Sequence, residues 1–515
     1  MSDNVETIPA RLRAVSAARV GAPALVNGKE TWSWVRLQAE IGRIAATLRH
    51  VETKPQDKIA VIGGNANIHA AAILAILEVG GCVVPLSTFL TAEAAATILK
   101  DAGVTTVLST TAYASLIDSV VEQGRAVGFA KIILESKRAG WTSLKSDMGG
   151  VSAVDPVDVD PDWDAFIVYS SGTTGLPKGV VHQHGLRGMQ TQAFADIGFE
   201  TDMKTLLSTP LASNWTLTGL LTALWSGGTA ILVRKFDTYE YLRLCEFHRP
   251  GFAFLVPTQI ERLLRSGLLE MHELGTSTVK LSAGSPLSSD DKVAFHAAWP
   301  GGLVEIYGMT EGSVTTSIDV AARPDKTGSV GLPSPGIELR IIDEDGAELP
   351  VGDVGEIVGR SPYMMKAYHA RPDATAALEW RAADGTLFQR TGDLGYLDED
   401  GFLYISGRSK DMIIRGGLNV YPVDIEDVAR RHDDVEDVAV IGVPDDRWGE
   451  VPLAILCVRA AEVEAEDIVT WVNARVAKPQ SLVGAVIVDS LPRGSLDKVL
   501  KKELRETYRD WTPRR

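Results

Sequence analysis

The segment from Tyr169 to Val180, YSSGTTGLPKGV, combines glycine, hydroxyl and lysine side chains in the manner of a loop that holds polyphosphate. Glycines let backbone N–H groups approach phosphate oxygens, hydroxyls donate hydrogen bonds to them, and a lysine neutralises negative charge. The segment follows a β-like apolar run, residues 165–168. We therefore predict that a nucleoside triphosphate is bound by Ser170, Ser171, Gly172, Thr173, Thr174, Gly175 and Lys178.

The order of residues in this loop differs from that of a Walker A motif. That motif places a serine or threonine directly after the lysine, where its hydroxyl binds magnesium. Here Gly179 follows Lys178, the hydroxyls precede it, and Pro177 argues against a helix that continues through the lysine. The alternative interpretation is an ordinary polar surface turn, since most segments rich in Ser, Thr and Gly are turns.

The segment EIYGMTEG, residues 305–312, follows an apolar run and supplies three groups that suit a nucleotide. The ring of Tyr307 can stack on a purine, and the hydroxyl of Thr310 can donate to a phosphate. Glu311 can bind magnesium, a hard cation that prefers carboxylate oxygen. Taken alone, the segment is better explained by a packed tyrosine beside a glutamate on a solvated turn.

Four further segments add groups of the same kind. Asp393, in TGDL, can accept both ribose hydroxyls, and Arg408 can reach the same sugar. The turn LSAGSPL, residues 281–287, follows a strand and can present its backbone to a flat purine edge. Lys498 is predicted as the first lysine of a basic helix that follows a loop. The alternatives are a Gly-Asp turn, a basic linker and a solvated lysine.

These segments need a framework that brings them together, and up to about Tyr307 strand-like and helix-like runs alternate along the chain. A hairpin is predicted over residues 24–34, with Asn27-Gly28 at its turn, and a helix over residues 181–196. Such alternation is typical of parallel sheets covered by helices.

The pattern changes near Gly328, where short β-like runs alternate with turns such as Asp345-Gly346 and Asp400-Gly401. This pattern predicts a β-rich subdomain over about residues 328–406, in the form of a distorted barrel. The remaining residues read as a small α+β domain. We therefore predict an α/β protein with two αβ sheets and a β-barrel in an N-terminal domain, residues 1–408, and a C-terminal domain, residues 409–515.

Composition limits the class of protein. A chain of 515 residues exceeds a single hydrophobic core, and a net charge of −16 disfavours nucleic acid as a main partner. Cys82, Cys245 and Cys457 lie far apart in apolar settings, as in a reducing compartment. The polar N-terminus does not read as a signal peptide, and the apolar stretch over residues 70–86 is too short and broken to span a bilayer. The expected location is cytoplasmic.

Together and in this order, the segments resemble the adenylate-forming superfamily of acyl-CoA synthetases, nonribosomal peptide adenylation domains and luciferases. The resemblance extends from the hairpin near Asn27 to Lys498. It implies a large N-terminal domain, a small mobile C-terminal domain and a reaction in two steps. A carboxylate first attacks the α-phosphate of ATP to give acyl-adenylate and pyrophosphate, and a thiol then displaces AMP. The implied ligands are ATP, Mg²⁺ and coenzyme A.

The resemblance also implies roles for individual residues. Lys498 would bridge the incoming carboxylate and the α-phosphate, Thr310 would contact that phosphate, and Glu311 would bind the magnesium. The C-terminal domain would swing about Lys410 between the two steps. The remaining nucleotide-binding residues would be Gly284, Ser285, Pro286, Glu305 and Tyr307 at the adenine side, and Asp393 and Arg408 at the ribose. The residues implied for coenzyme A are Gly416, Gly417 and Trp448, the last with a buried structural tryptophan as the alternative.

The chain departs from the family pattern at two places. Asp497 precedes the lysine where glycine is usual. The segment LASNWTLTGLL, residues 211–221, is longer than usual and lacks the customary histidine or aromatic residue near the acyl tunnel, so Asn214 and Trp215 become candidates for the acid pocket.

The size of the acid follows from Gly308, because acetyl-CoA synthetases, which are similar in this motif, place tryptophan there and close the pocket. Glycine predicts an acid larger than propionate. The other pocket candidates are Ala283, Ile306 and Met309, and no arginine or lysine stands out for a second carboxylate. We therefore expect an apolar monocarboxylic acid that is medium-chain, alicyclic or aromatic.

The leading interpretation is an acid–CoA ligase. The first alternative is a stand-alone adenylation enzyme that loads a carrier-protein thiol. A luciferase-like oxygenase is a further alternative on fold analogy alone, and a non-catalytic nucleotide sensor would have little use for Lys498. The sequence leaves a homodimer open.

Overall fold

The structure is a computed structural model and describes residues 5–144, 157–170, 178–416, 418–445, 447–460, 463–494 and 498–511. The chain divides into two compact units. The first comprises Met1–Thr315, Asp319–Asp325 and Ser361–Ala377, and the second comprises Thr316–Ile318, Lys326–Arg360 and Leu378–Arg515.

The α-helices of the described residues are α1 (Ile8–Ala18), α2 (Trp34–His50), α3 (Asn67–Glu78), α4 (Ala92–Asp101), α5 (Ala114–Glu122), α6 (His184–Ala195), α7 (Asn214–Trp225), α8 (Thr238–His248), α9 (Pro257–Arg265), α10 (Ser289–Ala298), α11 (Pro372–Ala376), α12 (Pro422–Ala429), α13 (Ala465–Asn473) and α14 (Lys501–Thr507). Short 3₁₀ turns lie at Thr111–Tyr113, Leu269–Met271, Pro324–Lys326, Ser409–Asp411 and Lys478–Gln480.

The strands are β1 (Pro23–Asn27), β2 (Glu30–Ser33), β3 (Lys58–Ile62), β4 (Cys82–Leu86), β5 (Thr106–Ser109), β6 (Ala130–Ile133), β7 (Thr142–Ser143), β8 (Asp164–Ser170), β9 (Lys178–Gln183), β10 (Lys204–Leu207), β11 (Thr229–Leu232), β12 (Phe252–Leu255), β13 (Val279–Ala283), β14 (Leu303–Gly308), β15 (Thr315–Asp319), β16 (Leu332–Pro333), β17 (Glu338–Ile342), β18 (Gly355–Arg360), β19 (Ala367–Tyr368), β20 (Glu379–Arg381), β21 (Leu387–Leu397), β22 (Leu403–Arg408), β23 (Ile413–Arg415), β24 (Leu418–Val420), β25 (Val435–Asp445), β26 (Gly449–Val458) and β27 (Gly484–Ile487).

Two mostly parallel sheets form the first unit. One runs β14-β13-β12-β10-β11-β1-β2 and is parallel except for the β1–β2 hairpin. The other runs β19-β9-β8-β4-β3-β5-β6-β7, with antiparallel pairs at β8–β9 and β9–β19. Near-continuous apolar runs such as KIAVI in β3 suit parallel strands that are covered on both faces.

Helix α3 explains how the two sheets share one core. Its sequence NIHAAAILAILE is apolar almost all round, and every residue from His69 to Leu77 is buried. A helix without a polar face belongs in a protein interior. It contacts β3 and β4 of one sheet and β1 of the other, so it forms a central layer between them.

The second unit contains two smaller sheets. An antiparallel sheet runs β17-β18-β21-β20, with β22 paired to β21, and corresponds to the predicted β-rich segment. The other runs β24-β23-β26-β25, with β27 parallel to β26, and α12 and α13 belong to its hydrophobic core. The predicted α/β class is confirmed, whereas the predicted boundary at residues 408 and 409 stays a prediction.

The predicted helix over residues 181–196 was wrong at its beginning. Residues Val180 and Val181 pair with Val168 and Ile167 in the antiparallel β8–β9 ladder, and α6 begins only at His184. β-branched valines favour the extended backbone, and pairing with a buried strand outweighs the apolar helical spacing of the same residues.

All three cysteines are buried in apolar surroundings and unpaired, which fits the reading of them as small core residues. Burial raises the pKa of each thiol. Among the described residues, no helix has both the length and the apolar content needed to cross a bilayer.

Candidate active site

Two predicted nucleotide segments end neighbouring parallel strands of the first unit. Strands β13 and β14 are paired in register, with Ala283 opposite Ile306. Because carboxyl ends of parallel strands meet at one edge of a sheet, the turn after β13 lies beside the turn after β14. The structure therefore places the segment of Gly284, Ser285 and Pro286 next to that of Thr310 and Glu311.

The buried side chain of Glu305, in β14, binds the backbone of the turn that follows β13. Its carboxylate is 2% exposed, Oε1 accepts from the N–H of Leu287 at 2.9 Å, and Lys292 Nζ lies 2.5 Å from Oε2. Burial raises the pKa of Glu305, and the ammonium group of Lys292 opposes that rise. The carboxylate of Glu305 is thus engaged within the protein and fixes the purine-side turn to β14.

The turn from Met309 to Gly312 has a backbone that requires glycine at its end. Gly312 adopts φ +78°, and its N–H donates to Met309 O at 3.0 Å. A side chain here would collide with the carbonyl oxygen of Tyr363. The carbonyl of Thr310 accepts from Nε2 of the buried His182 at 2.7 Å, so the ring carries its proton on Nε2.

Burial, with the positive charge of Arg187 nearby, lowers the pKa of His182 to about 3. The imidazole is therefore neutral at physiological pH, and it acts as a fixed hydrogen-bond donor beneath Thr310.

Glu311 is connected to the lysine of the predicted phosphate loop through Tyr368. The Tyr368 hydroxyl donates to Glu311 Oε1 at 2.6 Å, and Lys178 Nζ lies 4.9 Å from the centre of the Tyr368 ring. Burial and the adjacent carboxylate raise the pKa of Tyr368, so the phenol stays protonated. A cation over an aromatic ring is attracted to its face.

This arrangement fits a magnesium ion bound together with a triphosphate. Glu311 is half-buried, and its Oε2 takes part in no hydrogen bond within the described part of the chain. The same described ranges contain no cluster of three or more His, Cys, Asp or Glu side chains placed to hold a metal. Magnesium commonly takes one or two carboxylates and completes its shell with phosphate oxygens and water, so a single glutamate suffices.

A second tyrosine supports the base of the phosphate loop. Tyr169, in β8, donates from its hydroxyl to Asp101 Oδ2 at 2.6 Å, and Arg371 forms an ion pair with the same carboxylate. Ser170 ends β8, and Lys178 begins β9. The residues predicted between them, Ser171, Gly172, Thr173, Thr174 and Gly175, lie outside the described residues.

Several of the predicted acid-pocket residues belong to one apolar cluster. Trp215, Ala283 and Ile306 are each less than 10% exposed and share it. Trp215 packs on Phe254 with ring centroids 4.5 Å apart, and its indole N–H donates to Leu255 O at 3.0 Å. The tryptophan is thereby fixed as a rigid wall.

The remaining predicted pocket residues are less buried. Asn214 and Met309 are intermediate in exposure, and Gly308 is exposed. A side chain at position 308 would bring its Cβ within 3.1 Å of Val314 O, so the local backbone favours glycine.

Arg187 is a polar residue near this cluster that the sequence reasoning missed. It lies in α6, is 2% exposed, and donates through Nη1 to Asn214 Oδ1 at 3.0 Å and to Gln190 Oε1 at 2.9 Å. Its guanidinium also lies over the ring of Phe166. Nε and Nη2 are buried without a hydrogen-bond partner among the described residues.

In the second unit the two predicted ribose ligands face each other. Asp393 and Arg408 are register partners on β21 and β22, and Arg408 Nε lies 3.3 Å from Asp393 Oδ1. Arg408 is exposed, so this ion pair stabilises the fold little.

Lys410 lies just after β22, in a short 3₁₀ turn, Ser409–Asp411. Arg505 forms an ion pair with Asp411 at 2.8 Å. Partial desolvation and the nearby Arg408 lower the pKa of Lys410 to about 8.

The structure brings together two of the residues predicted to contact coenzyme A. Gly416 adopts φ +59°, and its N–H donates to Trp448 O at 2.7 Å. A side chain at position 416 would approach Trp448 Cε3 within 2.7 Å, so glycine lets the indole lie against the backbone. Trp448 is 41% exposed, which removes the alternative of a buried structural tryptophan. Gly417 lies outside the described residues.

Lys498 was predicted as the first lysine of a helix, and this was wrong. Helix α14 begins at Lys501, and Lys498 directly precedes Val499, which forms an isolated antiparallel bridge with Arg493. The Lys498 carbonyl accepts from the N–H of Gly494 at 2.8 Å. This backbone pairing competes with the helix and ends only at Leu500.

Sequence reasoning also missed His182 and Tyr368. Both lie far from Thr310 and Glu311 in the sequence, although they contact them directly. Charged or aromatic residues in otherwise apolar or small-residue runs, as in VVHQHGLRG, were the available signal.

Comparison with known proteins gives matches over nearly the whole chain. Residues 12–369 match the family model for AMP-binding enzymes, and residues 424–498 match that for the AMP-binding enzyme C-terminal domain. The chain is 30% identical over 496 residues to the feruloyl-CoA synthase of Amycolatopsis sp, covering 95% of this chain and 96% of that protein.

Two further similarities extend the comparison. The chain is 30% identical over 499 residues to the fatty acid–[acyl-carrier-protein] ligase ScoC of Streptomyces coeruleorubidus, covering 94% of this chain and 93% of that protein. It is also similar to the crystal structure of ATP-bound MatB from Rhodopseudomonas palustris, with a TM-score of 0.86, 30% identity and coverage of 98% and 99% of the two chains.

Proposed function

The chain belongs to the AMP-binding enzyme family and is an AMP-forming acyl-CoA ligase of the adenylate-forming superfamily; from this premise we propose how its residues divide the reaction and what acid it takes. In the first step a carboxylate oxygen of the acid attacks the α-phosphorus of ATP, and the bond to the bridging oxygen breaks. The products are acyl-adenylate and pyrophosphate. In the second step the sulfur of coenzyme A attacks the acyl carbon, and AMP leaves.

Charge neutralisation governs the first step, because an anion must approach an anionic phosphate. Lys178 and the hydroxyl-rich loop hold the β- and γ-phosphates, which leave as pyrophosphate. Thr310 contacts the α-phosphate, and Lys498 bridges that phosphate and the incoming carboxylate. The support for Thr310 is its carbonyl bond to His182, which fixes the turn at the carboxyl edge of β14.

Glu311 would hold a magnesium ion, and Tyr368 and Met365 orient Glu311. The side chain accepts from the Tyr368 hydroxyl, and the backbone carbonyl accepts from Met365 N–H at 2.7 Å. A bound magnesium ion would supply positive charge at the phosphates. The protein contributes a carboxylate with one oxygen already fixed, so the other is presented in one direction.

Gly284, Ser285 and Pro286 frame the adenine, with Tyr307 at its face, and Asp393 and Arg408 bind the ribose. Glu305 positions the adenine-side turn through Leu287 and does not itself contact the nucleotide. Between the two steps the C-terminal residues rotate about Lys410. Gly416, Gly417 and Trp448 then meet the pantetheine arm, for which the contact of Gly416 with the Trp448 indole is the support.

The acid is larger than propionate and has an apolar body that is medium-chain, alicyclic or aromatic. The support is the glycine at position 308 together with the apolar walls made by Trp215, Ala283 and Ile306. Two similar proteins are named for ferulate and for fatty acids, and both kinds of acid have an apolar body.

The observation that carries the proposal is the connection of Lys178, Tyr368 and Glu311, since it joins the phosphate loop to the predicted magnesium ligand. The experiment is pyrophosphate release from ATP with a panel of acids, with and without coenzyme A. We expect acyl-CoA and AMP only when an acid and coenzyme A are both present. Release of inorganic phosphate with ADP would overturn the proposal.

The second candidate is an adenylating enzyme that loads a carrier-protein thiol. Similarity to a fatty acid–[acyl-carrier-protein] ligase over most of both chains favours including it. A purified carrier protein bearing phosphopantetheine replaces coenzyme A in the same assay. Acyl transfer to the carrier, without acyl-CoA formation, selects this candidate.

A further inference from the structure

Arg187 presents one complete edge of its guanidinium without a partner in the described part of the chain. Nη1 is engaged by Asn214 and Gln190, whereas Nε and Nη2 are buried and unbonded. Nε and Nη2 lie on the same side of the planar group, and that edge matches the two oxygens of a carboxylate. The protein fixes the arginine through Nη1, and the buried Nε–Nη2 edge has no hydrogen-bond partner among the described residues.

The charge of Arg187 is also uncompensated. Among the described residues no acidic side chain forms an ion pair with it, and its guanidinium lies 5.1 Å from the centre of the Phe166 ring. Burial lowers its pKa to about 10, so the guanidinium remains charged at neutral pH. A buried cation is costly unless an anion accompanies it, so the unpartnered edge of Arg187 favours an anionic ligand.

The position of Arg187 indicates which ligand this is. Its partner Asn214 begins α7 directly before Trp215, the wall of the proposed acid pocket. Its charge also acts on His182, whose ring holds the carbonyl of Thr310. Arg187, in α6, therefore lies beside the proposed acid pocket.

We propose that Arg187, oriented by Asn214 and Gln190, binds a second carboxylate at the far end of the acid, so that the substrate is a dicarboxylic acid with an apolar body. This inference rests on the proposed acid–CoA ligase function and deepens it. The expectation of a monocarboxylic acid assumed a pocket without a cationic side chain, and Arg187 removes that assumption.

The test compares acids that differ only by a terminal carboxylate, such as hexanoate with adipate and octanoate with suberate. Pyrophosphate release is measured for the wild-type protein, Arg187→Met and Arg187→Lys. We expect the wild type to prefer the dicarboxylic acid in each pair by about 100-fold in kcat/KM, as a bidentate charged contact supplies. In Arg187→Met this preference should reverse. Arg187→Lys keeps the positive charge but lacks the planar edge with two donors, so its preference for the dicarboxylic acid should be intermediate.

A binding measurement keeps this test independent of turnover. Adipate or suberate should raise the melting temperature of the wild type, whereas hexanoate and octanoate should not, and Arg187→Met should lose the response. Without ligand, Arg187→Met should melt at or above the wild type, because it removes an unpaired buried charge. Asn214→Ala, which leaves the arginine in place, should weaken the dicarboxylate response.

Each other outcome overturns the inference. The inference fails if the wild type prefers monocarboxylic acids, or if Arg187→Met melts well below the wild type and loses activity with all acids alike. An increase in KM for ATP that is equal for every acid would assign Arg187 to a phosphate. If no acid supports pyrophosphate release, the ligase function fails, and the melting data then decide the carboxylate site separately.

Discussion

The hydroxyl of Tyr368 donates to Oε1 of Glu311 at 2.6 Å, although the two residues come from separate segments of the chain. The same tyrosine carries Lys178 over its ring. One uncharged side chain thus contacts both a cation and an anion that the proposed reaction needs at the triphosphate.

Tyr368→Phe should slow ATP–pyrophosphate exchange about ten-fold and raise the magnesium concentration for half-maximal rate. A hydrogen bond to a charged group contributes about 1.5–3 kcal/mol, part of which orients Glu311. Exchange rates over a magnesium series measure both effects. Tyr239→Phe, at an exposed position, is the matched control. An unchanged magnesium response with a lower rate would show that Tyr368 acts only through the fold.

Lys498→Ala should reduce adenylation by orders of magnitude, because it removes the positive charge that joins the carboxylate to the α-phosphate. The variant should still convert a supplied acyl-adenylate and coenzyme A into acyl-CoA. Separate single-turnover assays of the two half-reactions measure this. Lys502→Ala, on the nearby helix, is the control. Equal losses in both half-reactions would contradict the role.

Lys410→Pro should uncouple the two half-reactions, since proline fixes φ at the residue about which the C-terminal residues are expected to turn. One half-reaction should fall by about 100-fold while the other remains near the wild-type rate. Lys410→Ala, which keeps the backbone free, should retain both. Retention of both steps by the proline variant would place the hinge elsewhere.

His182 should make the protein less stable in acid. Its pKa is about 3 in the folded protein and 6.5 in the unfolded chain, so below pH 6.5 the unfolded state binds the extra proton. Stability is complete above pH 6.5 and falls as the pH is lowered, by about 2 kcal/mol at pH 5.

Urea unfolding of the wild type and His182→Gln at pH 7.5 and pH 5 measures this contribution. Glutamine can still donate to the carbonyl of Thr310 but does not titrate. The variant should lose about 2 kcal/mol less than the wild type between the two pH values. Parallel losses in both proteins would mean that His182 is protonated in the fold.

Lys292→Met should destabilise the first unit by about 3–5 kcal/mol, because it leaves the carboxylate of Glu305 buried without its cation. The urea midpoint reports this loss. The double variant Lys292→Met/Glu305→Leu should recover much of it, although the N–H of Leu287 then lacks its acceptor. If Lys292→Met lowers the free energy of unfolding by less than about 1 kcal/mol, the ion pair between Lys292 and Glu305 contributes little to stability.

Local sequence patterns predicted much of the fold. The predicted hairpin with Asn27-Gly28 at its turn is the β1–β2 pair, and the segments of Gly284 and Thr310 follow the paired parallel strands β13 and β14. The segments that were wrong, the beginning of α6 and the helix at Lys498, are those where strand pairing overrides an apolar or basic helical pattern.

Three residues of the candidate site could not be predicted from the sequence, and the physical reason is the same for each. His182, Arg187 and Tyr368 act through contacts with residues distant in the sequence, and nothing in their neighbours specifies those contacts. The burial of Arg187 in particular depends on how α6 meets α7 and β8, which is a property of packing. Residues that lie together in one sequence motif could therefore be predicted. Residues that come into contact only in the folded chain could not.

The burial of all three cysteines makes the native protein nearly inert to thiol reagents at neutral pH, because each thiol is shielded and its pKa is raised. A cysteine introduced at an exposed position is then labelled against almost no background. Spin labels can be attached at Lys29→Cys in the first unit and at Glu466→Cys in the second. Pulsed electron paramagnetic resonance then measures whether the distance between the two labels changes as acid, ATP and coenzyme A are added in turn.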